Sequence, residues 1–143
     1  MATPNIRILI RLMSALNVFL YRLTGGRVGG RVGGVPVLLL ITTGRKSGQS
    51  RTTPLLYLAD RERWVVVASN AGDDRHPAWF LNLRGPGRAE VQVGHSRRPV
   101  RAEEASGDEK RRLWPLLTHM YPAYDVYRGR TRREIPVVIL SPA

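Results

Sequence analysis

Three β-forming runs follow one another in this chain with connections too short to hold a helix. Pro36–Thr43 is a continuous apolar run, Arg51–Leu58 is a second, and Trp64–Ser69 (WVVVAS) is a third, rich in β-branched residues. Parallel neighbours need a crossover of a dozen or more residues, so these strands are expected to pair antiparallel. Pro77–Leu83 reads as a short helix ended by Gly85-Pro86-Gly87. Arg88–Val93 alternates, with Ala89, Val91 and Val93 on one face, and Arg97–Ala105 returns beside it through Gly94-His95-Ser96. Ser106-x-x-Glu109 has the form of a capping box opening a helix toward Met120, which Pro115 is expected to kink or break. Tyr121–Tyr127 continues irregularly or as a short helix, and Ile135–Leu140 is a last apolar strand. About five or six short strands with helices inserted between and after them predict a mainly β, α+β chain built on an antiparallel barrel.

The N-terminal segment has a different pattern. Thr3-Pro4 can cap a helix, and from Asn5 to Leu23 the polar residues Arg7, Arg11, Ser14, Asn17 and Tyr21/Arg22 recur every three or four positions. Arg7 and Arg11 interrupt the apolar run, so the uncharged span of about 18 residues that a transmembrane helix needs is absent. No small-residue cleavage site follows. The helix either packs on the domain as core or lies on a membrane surface, and the width of its apolar face favours the surface. The expectation is a cytoplasmic protein with peripheral contact through residues 5–23 on the inner face of the membrane. Gly25–Gly34 (GGRVGGRVGG) matches neither phosphate-binding glycine motif and reads as a flexible linker. Residues 1–34 are therefore assigned to helix plus linker, and residues 35–143 to one folded domain.

Charge narrows the partners. Twenty-three Lys+Arg against 11 Asp+Glu give +12, and the lysines are Lys46 and Lys110 alone. Such a balance favours nucleic acid, anionic membrane or an acidic small molecule. The absence of cysteine excludes disulfides, thiolate metal sites and cysteine nucleophiles, and His76, His95 and His119 match no metal spacing. Between the first two strands, Thr42–Pro54 concentrates Arg45, Lys46 and Arg51 with Gly44, Gly48 and several hydroxyls. Glycines let the backbone turn and offer its N–H groups, while the cations supply charge-assisted hydrogen bonds. This is the chemistry of an anion site; a solvated basic turn is the alternative.

Three other segments carry chemistry. Ser69-Asn70-Ala71-Gly72 follows a buried strand and can present backbone N–H groups to a flat ligand, or be a plain turn. His76–Leu83 mixes aromatics with the amide of Asn82 on one short helix. Tyr121, Tyr124 and Tyr127 recur at intervals of three and would share roughly one helical face, where phenols can line a planar-ligand pocket or pack as core. No catalytic triad, paired carboxylates or nucleophile elbow is visible, so in an enzyme a cofactor must carry the reaction.

Together these segments resemble the deazaflavin-dependent nitroreductase family. The matching residues are TTGRKSGQSRTTPLLYL (Thr42–Leu58), VVVASNAG (Val65–Gly72), HPAWFLNLR (His76–Arg84), WPLLTHMYPAYDVY (Trp114–Tyr127) and IPVVIL (Ile135–Leu140). The resemblance implies a split β-barrel of FMN-binding-like class that uses coenzyme F420, a hydride-carrying deazaflavin with a phosphodiester and an oligoglutamate tail. It places Arg45, Lys46, Ser47 and Arg51 at that phosphate and tail. Thr52, Thr53, Pro54, Leu55 and Leu56 then line the deazaflavin, as do Val67, Ala68, Ser69 and Asn70, and Ala78, Trp79, Phe80, Leu81 and Asn82. Tyr124 corresponds to a cofactor contact; Tyr121, Tyr124 and Tyr127 correspond to substrate-pocket tyrosines, and Ser69 to a serine that orients or protonates substrate. One position departs from the family: Leu56 stands where the best-known nitroreductase member has a pocket tyrosine, with Tyr57 beside it on the opposite strand face.

The implied function is hydride transfer from reduced F420 to a quinone or nitroaromatic acceptor, with no nucleic acid and no metal. The rival enzyme reading is a flavin-mononucleotide barrel oxidoreductase. The rival without catalysis is a basic nucleic-acid-binding module with stacking tyrosines.

Overall fold

A computed structural model describes residues 15–143. Residues 15–24 form a helix, α1; the part of the expected helix before residue 15 lies outside the described residues. Eight strands follow: β1 (Arg31–Val32), β2 (Val35–Thr43), β3 (Ser50–Leu56), β4 (Leu58–Asp60), β5 (Arg63–Val67), β6 (Arg88–Val93), β7 (Ser96–Glu104) and β8 (Val137–Pro142). Helix α2 (Ala78–Arg84) lies between β5 and β6, and α3 (Gly107–Met120) and α4 (Ala123–Arg130) lie between β7 and β8. The strand count exceeds the expectation because the second apolar run breaks at Tyr57 into β3 and β4, and because β1 pairs with β2.

Every strand pairing is antiparallel, in the order β1-β2-β6-β7-β8-β5-β4, with β3 on the other side of β2. The sheet curls enough to bring β3 and β5 within 8 Å Cα–Cα although they are not paired. The architecture is the expected α+β one, a curled antiparallel half-barrel.

Period-two alternation explains why the strands read as unbroken apolar runs. Leu38, Leu40, Val66, Val138 and Leu140 face one core with Trp79, Phe80 and Leu83 of α2. Their neighbours Val65, Val67, Val137 and Ile139 face a second core under α3 and α4, against Leu113, Leu117 and Tyr124. On β2 the alternate residues Val37 and Leu39 meet Tyr21 of α1. Both faces of the central strands are therefore covered, and neither shows a polar stripe.

The glycine-rich stretch expected as a flexible linker is instead built into the fold. Tyr21 is 2% exposed. Its hydroxyl lies 3.0 Å from the Val37 carbonyl and accepts from the Gly94 N–H at 2.9 Å. The Gly26 N–H bonds back to the Tyr21 carbonyl, and the Val37 N–H to that of Gly30. Close packing, not looseness, requires one glycine here: a Cβ on Gly30 would meet the Gly26 carbonyl oxygen at 1.9 Å.

The capping box also fails. Ser106 is the N-cap of α3 but makes no side-chain cap bond. The Glu109 carboxylate pairs instead with Arg63 at 2.9 Å and Arg112 at 3.3 Å, and charge-assisted bonds outcompete a neutral cap. Helix α3 runs through Pro115, which faces solvent, so the proline does not break it.

Candidate active site

The loop between β2 and β3 is closed by its own backbone. The Gly44 N–H donates to the Gln49 carbonyl at 2.7 Å and the Gly48 N–H to that of Gly44 at 2.8 Å. Gly48 has φ +72°, which glycine takes without strain. Arg45 is pinned: its backbone N–H and its Nη1 both donate to Asn82 Oδ1, at 3.2 and 2.9 Å. Asn82 is itself buried and donates to the Thr42 hydroxyl at 3.4 Å. Lys46 and Arg51 are exposed. Among the described residues no carboxylate pairs with Arg45, Lys46 or Arg51.

These cations edge a cavity of about 760 Å³. Ser47, Ser50, Thr52 and Thr53 add hydroxyls to its wall, and Ala78, Trp79 and Asn82 of α2 form the far side. A second cavity, of about 400 Å³, shares Thr53 and Trp79 with the first. Pro54, Leu55 and Leu56 of β3 line one side of it, and Val67, Ser69 and Asn70 another. Tyr121, Tyr124 and Tyr127 complete it, and Tyr124 is at the same time part of the core beneath α3 and α4. Ala71 and Pro77, which the sequence did not single out, also border it.

Three expected site residues stand elsewhere. Ala68 and Phe80 are buried in the core, and Leu81 packs against that core from outside. Helix α2 turns Ala78, Trp79 and Asn82 toward the cavities and Phe80 away from them, so a contiguous stretch cannot all face a ligand. Tyr57 likewise packs on the core, whereas Leu56 faces the cavity.

The tyrosines form one aromatic cluster. Tyr121 and Tyr124 lie edge to face with centroids 5.0 Å apart, and the Tyr121 and Tyr127 hydroxyls are 3.4 Å apart. Burial pushes the Tyr124 phenol well above its ordinary pKa, and the neighbouring phenols add to the shift. The hydrogen bond with Tyr127, followed by burial, raises Tyr121. Both phenols therefore keep their protons at neutral pH and can act as hydrogen-bond donors.

The F420H(2)-dependent quinone reductase family model matches residues 13–142. The chain belongs to that family. Its members are oxidoreductases whose cofactor is reduced coenzyme F420. A putative F420H(2)-dependent quinone reductase of Mycobacterium tuberculosis is 46% identical over 108 residues, spanning 76% of this chain and 91% of the relative. An F420H(2)-dependent quinone reductase of the same organism is 41% identical over 137 residues, spanning 93% and 89%. A solved F420-H2 dependent reductase superposes with a TM-score of 0.68 at 37% identity, over 74% of this chain and 94% of that one. A putative pyridoxamine 5'-phosphate oxidase from Listeria innocua, at 13% identity and TM-score 0.53 over 74% and 82%, shares the split-barrel fold alone.

The residues present suit the family's cofactor. Arg45, Lys46 and Arg51, which among the described residues pair with no carboxylate, border the larger cavity, and this suits an anionic tail. The smaller, aromatic-lined cavity shares Thr53 and Trp79 with it, and its lining suits a flat ring.

Proposed function

We propose that this chain reduces a quinone to the hydroquinone, with reduced F420 as the electron source. The observation that carries this reading is the pair of adjoining cavities, one cationic and one lined by phenols, with Thr53 and Trp79 in both walls. Lys46, Ser47 and Arg51, with Arg45 fixed by Asn82, would hold the phosphodiester and tail. The faces of Trp79, Leu55 and Val67 would hold the ring system. When bound, reduced F420 supplies a hydride.

Reduction of a quinone by hydride also consumes one proton. The Tyr124 phenol, kept protonated by burial, and the Ser69 hydroxyl would donate hydrogen bonds to the acceptor oxygen, drawing charge toward it as electrons arrive. Tyr121 and Tyr127 hold each other in orientation through their hydroxyls. Quinones are favoured over nitroaromatics because Leu56 gives the cavity an aliphatic wall where the family resemblance has a phenol, and Tyr57 does not replace it. A lipid-soluble quinone also suits α1, whose Leu16, Phe19 and Leu23 stand exposed beside Arg22, a pattern that fits the inner membrane surface.

The test is to titrate purified protein with F420 and with FMN by fluorescence, then to mix it with reduced F420 and menadione. Saturable binding of F420 in preference to FMN, with menadione-dependent oxidation, is the expected result. Protein that binds no F420 and supports no oxidation rejects the reading.

A further inference from the structure

Arg133, in the segment between α4 and β8, turns all three of its guanidinium nitrogens onto one loop. Nε donates to the Asp73 carbonyl at 2.9 Å. Nη1 donates to the Ala68 carbonyl at 3.2 Å and lies 3.2 Å from His76 Nδ1. Nη2 donates to the Ser69 carbonyl at 2.9 Å and again to that of Ala68 at 3.3 Å. A guanidinium has five donors in a rigid plane, and here four of them go to the carbonyls of Ala68, Ser69 and Asp73.

The loop it grips is one that needs holding. Asn70 and Ala71 have φ of +47° and +53°, in the left-handed region that side chains other than glycine's disfavour. Such a conformation persists only where the surroundings over-determine it. A short 3-10 turn adds little: its bonds are Gly72 N–H to the Ser69 carbonyl and Asp73 N–H to that of Asn70. The Ser69 carbonyl thus accepts twice, once from Gly72 and once from Arg133. Because a trans peptide unit points its C=O and N–H in opposite directions, drawing the Ala68 and Ser69 carbonyls to Arg133 turns the Ser69 and Asn70 N–H groups the other way. Ser69, Asn70 and Ala71 of this loop line the phenol-walled cavity.

We infer that Arg133 is a positioning residue for the reductase: by binding the carbonyls of Ala68, Ser69 and Asp73 it fixes the strained loop that sets Ser69 and Asn70 in the substrate cavity. This rests on the function proposed above. Arg133 itself lines a separate cavity of about 560 Å³ and neither of the two described above, so it acts through the loop and not by contact with the reactants.

The experiment compares Arg133→Lys, Arg133→Ala and, as a control, Arg132→Ala, whose side chain is exposed. Lysine keeps the charge and the aliphatic stem but offers a single nitrogen. Hydrogen exchange without cofactor should show the Gly72 and Asp73 amides of Arg133→Lys exchanging at least about tenfold faster, with the β5 amides unchanged. With reduced F420 and menadione, kcat of Arg133→Lys should fall about tenfold or more while the menadione KM stays within about twofold. Millimolar guanidinium ion should restore part of the rate of Arg133→Ala. Where Arg133→Ala does not fold, Arg133→Lys carries the test alone. An unchanged kcat in Arg133→Lys, unchanged exchange at Gly72 and Asp73, or a rate loss matched by the loss of folded protein overturns the assignment. Wild-type protein inactive with F420 and menadione would instead overturn the function on which it rests, and the exchange measurement separates the two.

Discussion

At the scale of single residues, the cations of the β2–β3 loop are not equivalent. All three are exposed, but Arg45 is bound twice to Asn82, whereas among the described residues Lys46 and Arg51 have no side-chain hydrogen-bond partner. Lys46→Ala and Arg51→Ala should each weaken F420 binding about tenfold, the loss of one partly screened charge-assisted bond, with melting temperature unchanged; fluorescence titration and thermal melts check both. Tyr124→Phe removes a hydroxyl and leaves the packing, so menadione turnover should fall roughly 10- to 100-fold in steady-state assays while stability holds. The basic loop and the tyrosines were legible in the sequence because their chemistry is explicit in the residue types. Ala68, Phe80 and Leu81 were not separable from their cavity-facing neighbours, because a matching stretch does not say which side of a helix or strand faces a ligand. Arg133 was invisible: nothing in Thr131-Arg132-Arg133-Glu134 distinguishes the arginine that binds the loop from the exposed one before it.

At the scale of elements, apolar runs and turn residues located β2, β5, β6, β7 and β8 to within a few residues, because alternation and burial leave a direct trace in composition. Ion pairing between distant elements leaves none. Asp60 on β4 binds Arg63 at 2.6 Å and Arg112 at 2.8 Å, and Glu109 joins the same cluster, tying the β4–β5 hairpin to α3. The hydrogen bonds from Arg112 and then Arg63 lower the Asp60 carboxyl from its ordinary 3.8 to about 2. A carboxyl lowered by folding stabilises the fold fully above its unfolded value, and that contribution is lost as pH falls from 3.8 toward 2. Asp60→Asn should therefore lower the melting temperature at pH 7 and flatten its decline between pH 4 and about 2, as thermal melts across that range would show. His76 adds an effect at milder acidity. Burial, followed by the charge of Arg133, lowers its pKa, so protonation below its ordinary 6.5 works against the folded state and against the contact with Arg133.

At the scale of the whole molecule, α1 is fastened by Tyr21 and by the bond from Arg22 to the Thr52 hydroxyl, yet it leaves Leu16, Phe19 and Leu23 more than half exposed. Among the described residues no helix is long and apolar enough to cross a bilayer. Co-sedimentation with anionic vesicles is the expected behaviour, reduced several-fold by Phe19→Asp with Leu23→Asp and by high salt; equal partitioning of wild type and variant would remove the membrane from the account. The split-barrel class followed from short antiparallel connections and a family resemblance together. The docking of residues 21–34 did not, since glycine-rich composition describes a tight turn and a loose tether equally well. Thr53 and Trp79, common to both chambers, have a consequence for selectivity. On the proposed reading they would set a fixed gauge between the hold on charge and the hold on the ring. A carrier with the right head and no tail, or the reverse, would then be held at one end only, and the two holds would multiply each other only for a molecule of matching length.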